Sequence, residues 1–233
     1  QLDANGCIYE LVDNSIAHQY YANPGVDQTA VKLNIGIYLW ESAGDHNIPE
    51  KIEIRDNAGG IKRDILDKAI SMWGMTKEWE DSISEHGCGM KYGMRGLGRN
   101  VTIVTKTLEM EKAIKVTTED ILDMTEGGFY PEYIDVEFEH GTIITIEELT
   151  PHGIGLGVKS AYKDAFHNYL LKGLGHRYQF LINTKFSQED GEGLQLHRIL
   201  NNVNDTISKQ VQSLTPIWYD RRGGVAMRPM IGT

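Results

Sequence analysis

The stretch "YELVDNSIAH", residues 9–18, places Glu10, Asp13 and Asn14 among apolar residues with helical spacing. On a helix, residues three and four positions apart lie on one face, so we expect these side chains to project together. An amide oxygen can ligate Mg²⁺, and a neighbouring carboxylate can accept a proton from an attacking water. The cluster is a candidate catalytic site; the alternative is a polar stripe that faces solvent.

A second motif, "IRDNAGGI", covers residues 54–61 and is predicted to end a strand. The glycines after Asp56 allow positive φ and leave room for a flat ring. A carboxylate held at such a turn can accept a hydrogen bond from an exocyclic amine such as that of adenine. The alternative is an ordinary turn after a strand, because these residue types are common in turns.

The third motif is "EHGCGMKYGMRGLG", residues 85–98. A Gly-X-Gly turn that leads into a helix leaves free backbone N–H groups, which form an anion site, and Lys91 adds a positive charge. The motif is not a P-loop, because the Gly-Lys-Ser/Thr ending is missing, and no strand leads directly into it as in a dinucleotide fingerprint. The alternative is that Gly93 and Gly96 only permit close helix packing.

Several predicted elements must position these motifs. Helical spacing predicts helices over 3–20, 62–73, 88–98 and 159–172. Alternation and β-branched content predict strands over 31–40, 51–56, 101–106, 113–118, 133–138, 142–149 and 177–183. Because neighbouring strands are joined by short turns, we predict an α+β sandwich with a mixed, mostly antiparallel sheet and helices on one face. A polar loop at 187–193 suggests a domain boundary near 185.

Composition and charge narrow the class of protein. Hydrophobic residues make up 40% and charged residues 24%, as in an ordinary globular protein. The net charge is −10, with the acidic excess in residues 1–150, which argues against gripping a nucleic-acid backbone by charge alone. The two cysteines lack a paired metal-ligand spacing, and no apolar run could span a bilayer. Because the chain starts at Gln1, we expect a fragment.

In this order and setting, the three motifs resemble those of the GHKL ATPases, which share the Bergerat-type α/β sandwich. That superfamily includes type II topoisomerases, MutL, the large heat-shock chaperone, sensor histidine kinases and the MORC proteins. "HGTIITIEEL" adds a fourth agreement through Gly141 and Thr142. Within the superfamily, "ISMWGMTKEW" and "HGCGMKYGMRGLGRNVTIVTK" look most similar to MORC-like ATPases. The resemblance covers roughly residues 1–185 and implies a transducer-like segment starting in 186–233.

The resemblance assigns roles residue by residue. Glu10 is implied to be the general base that activates water, and Asn14 the Mg²⁺ ligand. Asp56 would read adenine, with help from Thr142 through its hydroxyl or a water, and Gly60 would line the base pocket. Residues 74–86 would form the ATP lid. The implied phosphate-binding residues are Gly87, Cys88, Gly89 and Met90, through their backbone N–H groups, and Lys91, which would contact phosphate or lid.

The implied function is Mg²⁺-dependent ATP hydrolysis that drives lid closure and formation of a homodimeric clamp, with a DNA or protein client and a role in defence as an analogy. We expect a cytoplasmic location, or a nuclear one in a eukaryote. The alternatives are a histidine-kinase-type catalytic domain and an ATP-binding module without turnover.

Two positions depart from the superfamily pattern. Ala58 replaces the usual first glycine after the aspartate, which bears on the shape of the turn. The lysine that relatives contribute from a transducer domain cannot be assigned in this chain. His18 and His86 flank the motifs, and we expect each to be a surface or packing residue.

Overall fold

The computed structural model describes residues 3–22, 32–41, 49–70, 89–118, 130–150, 165–200 and 205–214. The helices are α1 (Ala4–Ala22), α2 (Arg63–Ile70), α3 (Gly89–Leu97), α4 (Ala165–Arg177) and α5 (Gln179–Ile182). The strands are β1 (Ile35–Glu41), β2 (Pro49–Asp56), β3 (Gly98–Lys106), β4 (Ala113–Thr117), β5 (Glu132–Ile134), β6 (Gly141–Leu149), β7 (Leu194–Leu200) and β8 (Asp205–Gln210).

The strands form one eight-stranded sheet in the order β5-β4-β3-β6-β2-β1-β7-β8. Every neighbouring pair is antiparallel except β1 and β7, which run parallel. This architecture confirms the predicted α+β class and the mostly antiparallel sheet. The ATP lid predicted over 74–86 lies outside the described residues. Among the described residues, no helix is long and apolar enough to cross a membrane.

One face of the sheet carries the core. Ile35, Ile37 and Leu39 of β1 are almost fully buried, whereas the residues between them are half-buried, as expected when helices cover one face. Burial of each such side chain contributes about 1.5–3 kcal/mol to the stability of the folded state. The predicted helices-on-one-face arrangement is therefore confirmed.

Helix α1 packs closely against α3 because α3 presents glycines to it. A Cβ on Gly93 would lie 2.7 Å from the carbonyl oxygen of Cys7, and one on Gly96 would lie 2.4 Å from the Cys7 sulfur. Both distances are too short for any larger residue at these positions. The packing interpretation of Gly93 and Gly96 is thus correct, and it coexists with the anion-site interpretation of the loop before them.

The predicted strand over 177–183 is wrong. Helix α4 runs to Arg177, and the short helix α5 follows it. Tyr178 and Ile182, four residues apart, are buried, whereas Phe180 between them is 79% exposed. That is a helical period, which the aromatic and β-branched content of the segment hid. The predicted strand over 133–138 is also shorter than expected, because β5 ends at Ile134.

Strands β7 and β8 continue the same sheet. Strand β7 pairs with β1 from Ile35 opposite Leu194 to Glu41 opposite Leu200, and β8 pairs with β7. The predicted boundary near 185 therefore falls between elements that share a sheet. The transducer-like character of 186–233 stays a prediction.

The side chain of Asp13 joins α1 to the junction of α4 and α5. Its Oδ1 accepts a hydrogen bond from the Tyr178 hydroxyl at 2.8 Å, and its Oδ2 pairs with the Arg177 guanidinium. Asp13 is buried, and burial followed by the Asp13 charge raises the pKa of Tyr178, so this hydroxyl stays a donor. The expectation that Asp13 projects with Glu10 and Asn14 is wrong. Successive residues turn by about 100°, which places Asp13 about 100° away from Asn14.

Replacing Tyr178 by phenylalanine should destabilise the fold. Tyr178→Phe leaves a buried carboxylate without one donor, and hydrogen bonds to charged groups contribute about 1.5–3 kcal/mol to the free energy of unfolding. Urea denaturation measures the change. The control is Tyr133→Phe on β5, whose side chain is 55% exposed and whose change should stay within about 0.5 kcal/mol. Equal stability of the two variants would contradict the prediction.

Candidate active site

Glu10 and Asn14 lie against the first residue of α3. A Cβ built on Gly89 would lie 2.1 Å from Glu10 Oε2 and 3.7 Å from Asn14 Nδ2. The carboxylate therefore occupies the space that any side chain at 89 would need. Because the first N–H groups of a helix have no partner within it, this point is suited to an anion. The structure brings the first and third sequence motifs together here.

The amide of Asn14 is oriented by its own helix. Its Nδ2 donates to the Glu10 carbonyl at 2.6 Å, which is one turn earlier on α1. An amide has a donor end and an acceptor end, and the donor end faces the backbone. The acceptor end, Oδ1, is the atom that can ligate a hard cation.

Asp56 ends β2, and three donors surround its carboxylate. Ser15 Oγ on α1 donates to Oδ2 at 2.6 Å, while the backbone N–H groups of Ala58 and Thr142 donate to Oδ1 at 2.9 and 3.2 Å. Burial raises the pKa of the Asp56 carboxyl, and the bond from Ser15 acts in the opposite direction. Ser15 was not predicted as a site residue, yet it connects α1 to the second motif.

Asp56, Thr142 and Thr105 form a row across three adjacent strands. Asp56 of β2 pairs with Thr142 of β6, and Thr142 pairs with Thr105 of β3. The Thr105 hydroxyl is fully buried, lies 3.1 Å from the Thr142 hydroxyl, and accepts the Ile61 N–H at 2.7 Å. Sequence reasoning missed Thr105. Only strand register could have found it, because "VTIVTK" has two threonines three positions apart, which lie on opposite faces of the strand.

Glycines shape the turn after Asp56. Gly60 has φ +73°, and a Cβ there would lie 1.8 Å from the Lys106 carbonyl oxygen. Gly141 has φ +131°, and a Cβ there would lie 2.0 Å from the Asp56 carbonyl oxygen. Ala58 is not among the residues with positive φ, so alanine is tolerated where relatives have glycine. Gly60 thus lies in the turn through close backbone contact, and its predicted place in a base pocket stays a prediction.

His18 also contacts this turn. Its Nε2 forms a short hydrogen bond with the Gly60 carbonyl oxygen, and the ring lies one helical turn after Asn14. The sequence indicated only a surface or packing residue at this position. The structure places His18 in the site, where it fixes the glycine turn against α1.

The remaining predicted phosphate-binding residues are described only in part. Met90 and Lys91 follow Gly89 on α3, and both are buried. Gly87 and Cys88, together with His86 and the predicted lid over 74–86, lie outside the described residues, so their roles stay predictions. Among the residues that the structure describes, no three histidine, cysteine or acidic side chains form a metal-binding group.

A cation at this site would therefore need oxygen ligands from a bound molecule. The chain offers the Asn14 amide next to the Glu10 carboxylate, and Mg²⁺ characteristically takes one or two protein ligands together with phosphate oxygens and waters. The donor set fits a cation that enters with a phosphate-bearing ligand.

Comparison with known families agrees with this geometry. A family model described as "Histidine kinase-, DNA gyrase B-, and HSP90-like ATPase" matches residues 2–127, which include α1, the Asp56 turn and α3. The chain belongs to this family. It is thus a member of the GHKL ATPase superfamily, and membership implies that it binds ATP. No curated protein matches the chain.

The family match covers both ends of the site, the end with Glu10 and Asn14 and the end with Asp56. The matched residues 2–127 contain Glu10, Asn14, Asp56 and Gly60. Thr142 lies beyond the match and donates its backbone N–H to Asp56, and its role in reading adenine stays a prediction.

Replacing Asp56 by asparagine should flatten the dependence of stability on pH. An ordinary aspartate has a pKa of about 3.9, and burial raises the pKa of Asp56 in the folded protein. The folded state then holds a proton that the unfolded chain has released. The free energy of unfolding therefore falls as pH rises from about 4 through the folded-state pKa. Asp56→Asn removes this titration, and its amide can still satisfy Ser15, Ala58 and Thr142.

Urea denaturation between about pH 4 and about pH 8 measures the effect. The variant should lose less stability than the parent as pH rises. Asp64→Asn, on the exposed side of α2, is the control and should keep the slope of the parent. Parallel profiles for the parent and Asp56→Asn would contradict a raised pKa at Asp56.

Proposed function

We propose that this chain binds ATP with Mg²⁺ and hydrolyses it, with Glu10 as the general base. One observation carries the proposal: a single helix reaches both ends of the site. Glu10 and Asn14 meet Gly89 at the start of α3, while Ser15 bonds to Asp56. Ser15 lies five positions after Glu10 on α1, which is a rise of about 7.5 Å along the helix axis. A nucleotide lying along α1 would place its phosphates and its base at these two points.

Counting only donors from the described part of the chain, the base end has one acceptor position left. A carboxylate has about four lone-pair sites, two on each oxygen. Oδ1 of Asp56 uses both of its sites on backbone N–H groups, and Oδ2 uses one on Ser15. The remaining site on Oδ2 can accept the exocyclic amine of adenine. A guanine would present a carbonyl oxygen at the corresponding position, so this acceptor favours adenine.

The phosphate end combines a helix start with a cation ligand. Helix α3 has nine residues, and its first N–H groups, which have no partner within the helix, favour negative charge together with the helix dipole. Asn14 would hold Mg²⁺ through Oδ1. When bound beside the phosphates, Mg²⁺ supplies positive charge that offsets the charge on the transferred group.

Glu10 is placed to move a proton. Its carboxylate lies directly beside Gly89, so a water between it and a phosphate at the start of α3 would be within its reach. Glu10 would accept the proton of that water as the water oxygen attacks phosphorus, and the bond to the leaving ADP oxygen would break. Asn14 donates to the Glu10 carbonyl and so keeps the cation ligand and the base one turn apart.

Replacing Glu10 by glutamine should separate binding from hydrolysis. Glu10→Gln keeps the shape of the side chain but cannot accept a proton. Phosphate release should fall by about 10²–10⁴-fold, the range expected for loss of a general base, while affinity for a non-hydrolysable ATP analogue should stay within severalfold. Glu137→Gln, at an exposed position before β6, is the control and should match the parent.

Each alternative function has its own outcome in that experiment. Equal release rates in the parent and Glu10→Gln would reject Glu10 as the base. Transfer of labelled γ-phosphate to the protein would favour the histidine-kinase-type catalytic domain. Tight binding without release by the parent would favour an ATP-binding module without turnover.

From the resemblance to MORC-like ATPases, we further propose that ATP closes the lid at 74–86 and joins two copies into a clamp that acts on DNA or a protein client. Light scattering of the chain with a non-hydrolysable ATP analogue and Mg²⁺ should then report twice the monomer mass. Asp56→Asn should remain monomeric under the same conditions, because it lacks the acceptor for adenine. An unchanged mass for the parent at saturating analogue would reject nucleotide-driven dimerisation by this chain.

A further inference from the structure

Two neighbouring rows of residues on α1 have different partners. Glu10 and Asn14 face Gly89 at the start of α3. Tyr9 and Asp13, each one position earlier, face the junction of α4 and α5. Because the rows consist of consecutive residues, whatever fixes one row also fixes the other.

Four residues make the contacts of the second row: Tyr9, Asp13, Arg177 and Tyr178. We call these four residues the α1 clamp. The Tyr178 hydroxyl lies 2.8 Å from Asp13 Oδ1 and 3.2 Å from the Tyr9 carbonyl oxygen. The Arg177 guanidinium pairs with Asp13 Oδ2 and lies 5.2 Å from the centre of the Tyr9 ring. The rings of Tyr9 and Tyr178 meet edge to face at 6.4 Å.

Backbone and packing on both sides hold the clamp in place. Helix α4 has a glycine where the Tyr9 side chain ends, since a Cβ on Gly173 would lie 1.8 Å from the Tyr9 hydroxyl. Tyr178 also packs against Phe186, which forms a bridge with Leu33 just before β1. The clamp therefore connects α1 to the segment that leads into β7.

We infer that the α1 clamp sets the rotation of α1 about its axis, and so places Glu10 and Asn14 at the start of α3. Asp13, Arg177 and Tyr178 are then positioning residues that act through the residues next to Asp13. The inference rests on the proposed function and adds a dependence on residues outside the nucleotide pocket. Hydrolysis would require contact between α1 and the α4–α5 junction as well as a filled pocket.

The two ends of the site should respond differently to loss of the clamp. Asp56 is held by its own strand, by Ala58 and by Thr142, which do not depend on the rotation of α1. Among the contacts described, α1 reaches this end of the sheet through Ser15 and His18, and neither Glu10 nor Asn14 contacts it directly. Adenine binding should therefore persist while the water-activating end is misplaced.

The test compares Tyr178→Phe and Arg177→Gln with the parent. Hydrolysis per folded molecule should fall by about ten- to a hundredfold, because a misplacement near 1 Å can cost about a hundredfold. Affinity for a non-hydrolysable ATP analogue in EDTA should stay within about threefold of the parent, a change of well under one order of magnitude. The gain in that affinity on adding Mg²⁺, which needs Asn14 but no turnover, should shrink.

Three further variants separate positioning from simple loss of stability. Ile182→Val lowers core packing in α5 without removing a clamp group, and should reduce thermal stability while leaving hydrolysis per folded molecule unchanged. Lys172→Gln, exposed on α4, should match the parent in every measurement. Arg177→Lys keeps the charge opposite Asp13, so it should restore part of the rate that Arg177→Gln loses.

The outcomes distinguish failure of the inference about the α1 clamp from failure of the proposed ATP hydrolysis. If Tyr178→Phe and Arg177→Gln hydrolyse ATP at the parent rate and gain the parent's affinity on adding Mg²⁺, the inferred role of the α1 clamp is wrong. A rate loss in Ile182→Val equal to theirs would also overturn it, because stability alone would then explain the effect. If the parent binds ATP without hydrolysing it, the proposed hydrolysis fails, and the Mg²⁺-dependent affinity alone decides for or against the clamp.

Discussion

The carboxylate of Asp56 is a buried negative charge that three parts of the chain must satisfy together. A buried carboxylate is costly unless hydrogen bonds compensate it. Here the donors come from α1, from the turn after β2 and from β6. This one requirement links α1, the turn and β6 at the end of β2. Burial still raises the pKa of Asp56, so the three donors do not offset the whole cost of burial.

Close backbone approach is the second constraint, and glycine meets it at each junction. Gly60 lies against the Lys106 carbonyl, Gly141 against the Asp56 carbonyl, and Gly89 against the Glu10 carboxylate. The first two positions also have positive φ, which L-residues with a Cβ rarely adopt. These three glycines lie where the strand ends, α1 and α3 meet, and each leaves space that a larger residue would fill.

The sequence indicated those parts of the site and fold that depend on local spacing. Glu10 and Asn14 share a helical face by periodicity and lie together against Gly89, and the glycine motifs form turns as their chemistry predicts; the roles of these residues stay predictions. Asp13 and Thr105 could not be placed, because their roles depend on which helix rotation and which strand register the fold adopts. The segment 177–183 was misread for a related reason: aromatic and β-branched residues favour a strand locally, whereas burial of Tyr178 and Ile182 favours a helix.

One short run of residues in α1 both faces the start of α3 and anchors the helix to the α4–α5 junction. Its front, with Glu10 and Asn14, faces the start of α3, and under the proposed function these polar groups meet a charged ligand instead of packing in the core. Its side, with Tyr9 and Asp13, supplies anchoring that the front cannot give, through a buried carboxylate with two partners. Consecutive residues of a helix point in different directions. The candidate catalytic residues and the anchoring residues of α1 therefore keep a fixed geometry relative to each other. A change at the α4–α5 junction thus reaches the ligand through a rotation of α1 rather than through the sheet.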